Sequence, residues 1–168
     1  ITEAQKDFDI ILTSGGAWKS DRDLVAKILN ELGWRKVYHR IKMGPGKAVG
    51  FGLLEGKPIF LLPGGPPSNH MAFIQLVVPA LHKMAGFEGT SFPIIEAKIS
   101  KELSGQSNWT QFIHGNLCEE GEGNILFEPT KEKSRLQMLA STNSVAKIPE
   151  GIELIPKGAS ISVQKLTN

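Results

Sequence analysis

Asp9-Ile10-Ile11-Leu12-Thr13-Ser14-Gly15-Gly16 decides how this chain is read, because a β-branched apolar run passes straight into a glycine pair. A short apolar run closed by glycines is the pattern of a strand buried on both faces, here over residues 8–13, with Ser14-Gly15-Gly16 making the turn. Ser20-Asp21-Arg22-Asp23 then stands ahead of Leu24, Val25, Ile28, Leu29 and Leu32, which recur at helical spacing until Gly33 supplies a stop. Strand, glycine loop and helix in that order form the repeating unit of an α/β sheet.

The same grammar returns downstream. Lys57–Leu62 reads as a strand and Pro63-Gly64-Gly65-Pro66-Pro67-Ser68 as its loop. Met71, Phe73, Ile74, Leu76, Val77, Val78 and Leu81 then make a long apolar helix that reaches about Ala85 and is capped by Gly86. Between the two units, residues 37–41 form a β-branched and aromatic strand, Met43-Gly44-Pro45-Gly46-Lys47 forms a loop, and residues 48–54 pair with Lys57–Leu62 across Glu55-Gly56 as a hairpin. From Phe92 onward the texture changes to short alternating strands at 94–100, 109–117, 125–129, 144–149 and 160–165. The expected organisation is an α/β layer over residues 1–88 followed by a small all-β domain over residues 89–168.

The composition bounds what such a chain can do. With 168 residues, 19 Lys+Arg against 17 Asp+Glu and a net charge of +2, it has no excess of cations with which to coat a nucleic acid. The 18 Gly and 10 Pro imply many short elements joined by tight turns. Cys118 is the single cysteine, which excludes an internal disulfide framework and makes the cytoplasm the expected compartment. No apolar run approaches the ~20 residues that cross a bilayer, so no membrane association is expected.

Both glycine loops belong at the carboxyl ends of strands, where ligands bind in α/β sheets, and helix N-termini there favour an anion such as a phosphate. Ser14, Gly15, Gly16, Pro63, Gly64, Pro66 and Ser68 are therefore candidate binding residues, and Lys47, carried by Gly44-Pro45-Gly46, is a candidate point charge for the same anion. Structural readings stand beside these: Ser20 with Asp23 fits a capping box, and Gly-Pro-Gly-Lys fits a turn with a solvated lysine. No Walker-type or dinucleotide glycine motif is present, and His39, His70, His82 and His114 are scattered without ligand spacing. Spacing alone reaches an anion-binding α/β domain with an appended β domain, and no reaction class.

Asp9 to Ala17, Asp21-Arg22-Asp23, Pro45-Gly46-Lys47, Gly52-Leu53-Leu54 and Leu62-Pro63-Gly64 together resemble the molybdopterin molybdenumtransferases of the MoeA and gephyrin E-domain type. The resemblance extends through Asn143 and Ile148-Pro149-Glu150-Gly151 into the family's carboxyl-terminal β domain. It implies a three-layer α/β domain related to the molybdopterin adenylyltransferases, followed by a small barrel-like domain. It also implies molybdopterin or its adenylated form as substrate, molybdate as the inserted oxyanion, and Mg²⁺. In site terms it implies Asp23 and Lys47 as catalytic, Asp21 and Asp23 as metal-holding, and Ser14, Gly15, Gly16, Pro45, Gly46, Pro63, Gly64, Pro66, Ser68 and Ser134 as ligand-binding residues.

The chain departs from the family at several polar positions. Trp18-Lys19-Ser20 replaces a second serine, Gly44 replaces the first lysine of Lys-Pro-Gly-Lys, and Gly65 replaces an asparagine. Trp109 and His114 fall where the family carries arginines. These losses keep open an alternative, a catalytically degenerate molybdopterin-binding or assembly module. The family's α/β domain also begins well before the Ser-Gly-Gly strand. The expectation is accordingly a domain whose amino-terminal half lies outside the sequence, with a homodimer or partner chain completing the sheet.

Overall fold

The computed structural model describes residues 1, 3, 7–16, 24–89, 91–121, 123–132 and 134–166. The chain divides into two units, one of Ile1–Ile41 and Pro45–Leu81, the other of Lys42–Gly44 and His82–Asn168.

In the first unit, β1 (Ile11–Ser14) is followed by α1 (Leu24–Glu31) and β2 (Arg35–His39). Gly33 stops α1 in the left-handed conformation that lets Trp34 N–H reach the Leu29 carbonyl and Gly33 N–H reach that of Asn30. After β3 (Met43–Gly44), the hairpin arms are β4 (Gly50–Leu54) and β5 (Lys57–Leu62), paired antiparallel from Gly50 opposite Leu61 to Leu54 opposite Lys57. Glu55 and Gly56 both take positive φ, 50° and 85°, the geometry of the two-residue turn whose twist matches that of its strands. The sheet order is β1-β5-β4-β2, and β1–β5 is its parallel pair. The sheet is thus mixed, where the strand-loop-helix reading expected a parallel one.

β5 is buried on both faces. Ile59 and Leu61 meet Leu29 of α1 together with Trp34 and Leu54, while Phe60 stacks on Phe51 (4.6 Å between ring centres) and Phe51 on Tyr38 (5.6 Å) across three strands. Desolvation raises the Tyr38 phenol above its ordinary pKa. β1 departs from the expected buried strand: it starts at Ile11, Leu12 is 40% exposed and Phe8 59% exposed. The reason is its position, since among the described residues β1 has β5 on one side and no strand on the other.

The second long helix starts earlier than its apolar pattern suggests. α2 (Pro66–Ala72) has Pro66 and Pro67 in its first turn, where a missing N–H costs no intrahelical bond. It continues through a π-helical turn (Phe73–Val77) into α3 (Val78–Met84), where Gly86 ends the helix as Gly33 ends α1.

The second unit is a closed five-stranded barrel. Its staves are β6 (Ile94–Ile99), β8 (Thr110–Glu120), β9 (Asn124–Pro129), β10 (Ser144–Ile148) and β12 (Ser160–Lys165), adjacent in the order β10-β12-β6-β9-β8 with β8 returning to β10. Period-two alternation fills the interior with Ala97, Ile99, Phe127, Ala146, Ile148, Ile161 and Val163. Gly115 on β8 makes room for the Phe127 ring, because a Cβ there would stand 2.5 Å from it. The start of β10 is fastened to β8 by side chains: Asn143 Oδ1 accepts from Leu117 N–H (2.9 Å), Asn116 Oδ1 accepts from Asn143 N–H (3.0 Å), and Ser144 Oγ donates to the Gly115 carbonyl (2.9 Å).

Smaller elements complete the second unit. β3 pairs in parallel with β8 at Thr110 and Gln111, so Met43 and Gly44 are strand where a loop was expected. β7 (Leu103–Ser104) pairs with β11 (Leu154–Ile155), and α4 (Arg135–Ser141) interrupts the expected all-β module. Among the described residues no helix is long and apolar enough to cross a membrane.

Candidate functional site

The site begins from two glycine loops that parallel pairing brings side by side. Ser14 lies opposite Leu62, so Gly15-Gly16 after β1 and Pro63-Gly64-Gly65 after β5 leave the same edge of the sheet. Gly15 N–H donates to the Leu62 carbonyl (2.9 Å), and a Cβ on Gly64 would stand 3.4 Å from the Gly15 Cα. Gly16 in turn rests on Val25 of α1, whose methyl lies 3.0 Å from where a Cβ would be. Small residues are therefore a packing requirement here as well as a way of exposing backbone.

Asn69 locks the two loops together. Its side-chain amide donates one hydrogen to Ser14 Oγ (2.9 Å) and the other to the Pro63 carbonyl (2.8 Å). Sequence reasoning passed over this residue. The available signal is that α2 starts at Pro66, which puts residue 69 in the first turn, where helical side chains lean back toward the preceding loop.

Lys47 belongs to the same edge of the sheet. Gly50 pairs with Leu61 and His39 with Gly50, so the segment leading into β4 lies beside the end of β5. That segment is held by Arg40 N–H on the Val49 carbonyl (2.8 Å) and Ile41 N–H on the Lys47 carbonyl (3.2 Å). Pro45 is half-buried, Gly46 is buried and Lys47 is exposed. Arg40, just past the end of β2, adds a second cationic residue and adopts φ 78°, an uncommon value for a non-glycine residue. Ser14, Gly64 and Pro66 are exposed and Ser68 is half-buried. Next to Ser68, burial lowers the His70 pKa, which keeps its ring neutral near pH 7.

Asp21 and Asp23 lie outside the described residues. Ser134 belongs to the second unit, where it is the N-cap of α4 and its Oγ accepts from Gln137 N–H at 3.5 Å. His114, at one arginine position of the resemblance, is a buried residue of β8 with 4% exposure, and Trp109, at the other, is half-buried. Among the described residues no three His, Cys, Asp or Glu side chains form a group that could hold a metal ion. The barrel unit also carries an open hollow of about 430 Å³ between Lys101, Asn116, Glu128, Thr130 and Ser141, and no expected site residue lines it.

What this edge of the first unit can do is hold an anion. It combines an exposed hydroxyl in a fixed position, two closely packed glycine loops and an exposed ammonium group, with no acidic side chain among the residues placed there.

Residues 1–83 match a family described as a probable molybdopterin binding domain. Over 166 residues the chain is 28% identical to molybdopterin molybdenumtransferase 2 of Mycobacterium tuberculosis, covering 96% of this chain and 41% of that protein. It is 27% identical over 144 residues to the molybdenum cofactor synthesis protein cinnamon of Drosophila melanogaster, covering 84% of this chain and 24% of that one. Among solved structures, a molybdopterin biosynthesis MoeA protein from Pyrococcus horikoshii superposes with a TM-score of 0.81 at 30% identity, covering 99% of this chain and 39% of that chain.

Proposed function

The chain belongs to the molybdopterin molybdenumtransferase family, and from that premise we propose that it is the carboxyl-terminal portion of an enzyme that inserts molybdate into molybdopterin or its adenylated form. The chain spans about two-fifths of the length of the relatives it matches, 41% and 39% for two of them. In this reading its first unit is the pterin-holding part, built as a portion of a three-layer α/β domain of the adenylyltransferase type. The enzyme works in the cytoplasm.

The observation that carries the reading is the pair of glycine loops joined by Asn69 at one edge of the sheet. The phosphate of the pterin ligand lies against Ser14, Gly15, Gly16, Pro63, Gly64, Pro66 and Ser68, where the Gly16 and Gly64 N–H groups and the Ser14 and Ser68 hydroxyls donate to its oxygens while the Gly15 N–H holds the Leu62 carbonyl. Pro45 and Gly46 fix the turn that presents Lys47, whose charge compensates the phosphate or the incoming molybdate. Asp23 is the catalytic carboxylate of the proposal. Magnesium would be held by Asp21 and Asp23, which lie outside the described residues.

A second reading is favoured by one observation: His114 is buried where the resemblance places an arginine. On that reading the chain holds the pterin and has lost its grip on molybdate.

Calorimetric titration separates these outcomes. The proposal expects saturable binding of molybdopterin and of molybdate, with Lys47→Ala weakening either ligand about tenfold, the scale of one lost charge-assisted hydrogen bond. Pterin uptake without molybdate uptake selects the second reading. Uptake of neither ligand overturns both.

A further inference from the structure

Asn69 supplies an amide at a place where the sequence has lost one. Gly65 stands at the asparagine position of the resemblance, and α2 instead presents Asn69 one turn later, with each of its two side-chain N–H bonds directed to a different loop. The acceptors differ in what remains to them. The Pro63 carbonyl simply anchors its loop, whereas Ser14 Oγ, by accepting from Asn69, commits a lone pair and leaves its own O–H to donate elsewhere. Ser14 is exposed, so its hydroxyl points its remaining capacity at whatever occupies the edge of the sheet.

We propose that Asn69 is a positioning residue that locks the β1 and β5 loops at a fixed separation and turns Ser14 into an oriented hydrogen-bond donor toward an oxyanion. The second half of this inference rests on the phosphate-holding reading above, and the loop lock does not. An asparagine suits both tasks because its amide nitrogen carries two donors a fixed angle apart. A carboxylate of the same shape would meet the Pro63 carbonyl with a second acceptor and could only accept from Ser14, spending the hydroxyl proton. Locking also spares the ligand the ordering of two glycine-rich loops when it binds.

Two measurements on the full chain test the inference. In Asn69→Ala and Asn69→Asp, the Gly15 amide should exchange its hydrogen at least about tenfold faster than in the wild type, while the Ile59 and Leu61 amides stay unchanged as internal controls for folding. Unaltered Gly15 exchange overturns the loop lock. For the donor role, binding of inorganic phosphate and of a pterin monophosphate is compared in Asn69→Ala, Ser14→Ala and the double variant. Each single variant should lose about tenfold, and the double variant should lose no more than either, since Asn69 acts through Ser14. Losses that multiply in the double variant overturn that role. If the wild type binds no pterin monophosphate, the functional reading and the donor role fall together, and Gly15 exchange still decides the lock.

Discussion

At Gly52 the indole of Trp34 occupies the space a side chain would need. A Cβ there would stand 2.4 Å from Trp34 Nε1 and 2.6 Å from the Arg35 carbonyl, so neither the ring nor the backbone could yield cheaply. Gly52→Ala is expected to destabilise the chain by about 1–3 kcal/mol, the usual range for overpacking, read as a lowered thermal midpoint. An unchanged midpoint would mean that Trp34 has a second place to go. The arrangement carries its own cost, because Trp34 Nε1 is buried without a hydrogen-bond partner among the described residues. None of this was readable beforehand: Gly50-Phe51-Gly52 looked like ordinary hairpin sequence, and only the three-dimensional partner explains the alternating glycines. Ser14, Gly15, Pro63 and Gly64 were readable as a cluster because glycine loops after strands have a known place in α/β sheets. Asn69 was not, because its value lies in two acceptors, one of them 55 positions away.

The helix after β5 shows how an element can bear a local contradiction. Pro79 has no N–H to donate to the carbonyl four residues earlier and its ring crowds that turn. The chain widens instead, with Val78 N–H bonding the Phe73 carbonyl five residues back. The π-helical turn stays in register with the buried side chains Met71, Ile74 and Val77. Pro79→Ala should therefore raise stability by roughly 1 kcal/mol, part of the usual penalty for proline in a helix. The check is a higher melting midpoint together with new hydrogen-exchange protection at residue 79. A lower midpoint would assign the wide turn to side-chain packing. Two of the elements that sequence reading missed have opposite excuses. α4 is seven residues long and buries none of them, so its Leu136, Met138 and Leu139 make a pattern too short to tell from a loop. β3 is two residues long and takes its pairing from Thr110 and Gln111, far along the chain.

At the scale of the molecule, the five barrel staves were readable because each alternates, but closure was not, since nothing local tells β10 that β8 will be its second neighbour. The first unit presents the complementary case, an edge that is open among the described residues. Leu12 on β1 is 40% exposed, and α1 keeps Leu24, Ile28 and Leu32 exposed at 58%, 44% and 40%, one helical turn apart. β1 carries no lysine, proline or bulge of the kinds that guard a free strand edge. We propose that the homodimer expected from the sequence covers this surface. Sedimentation of the full chain should show a dimer that Leu12→Lys converts to monomer with its far-UV spectrum intact. A monomeric wild type would remove the dimer from the proposal.

The division of the chain also constrains how it can be taken apart. Lys42, Met43 and Gly44 count with the barrel, whereas the residues on either side of them, back to Ile1 and on to Leu81, count with the other unit. The polypeptide thus visits the barrel, leaves it, and returns for good at His82. No cut at a single peptide bond releases both units whole, and a barrel expressed from residue 82 onward would lack the strand that lies along Thr110 and Gln111. Ribosomal order follows too: that strand emerges long before the stave it pairs with, and must wait for it.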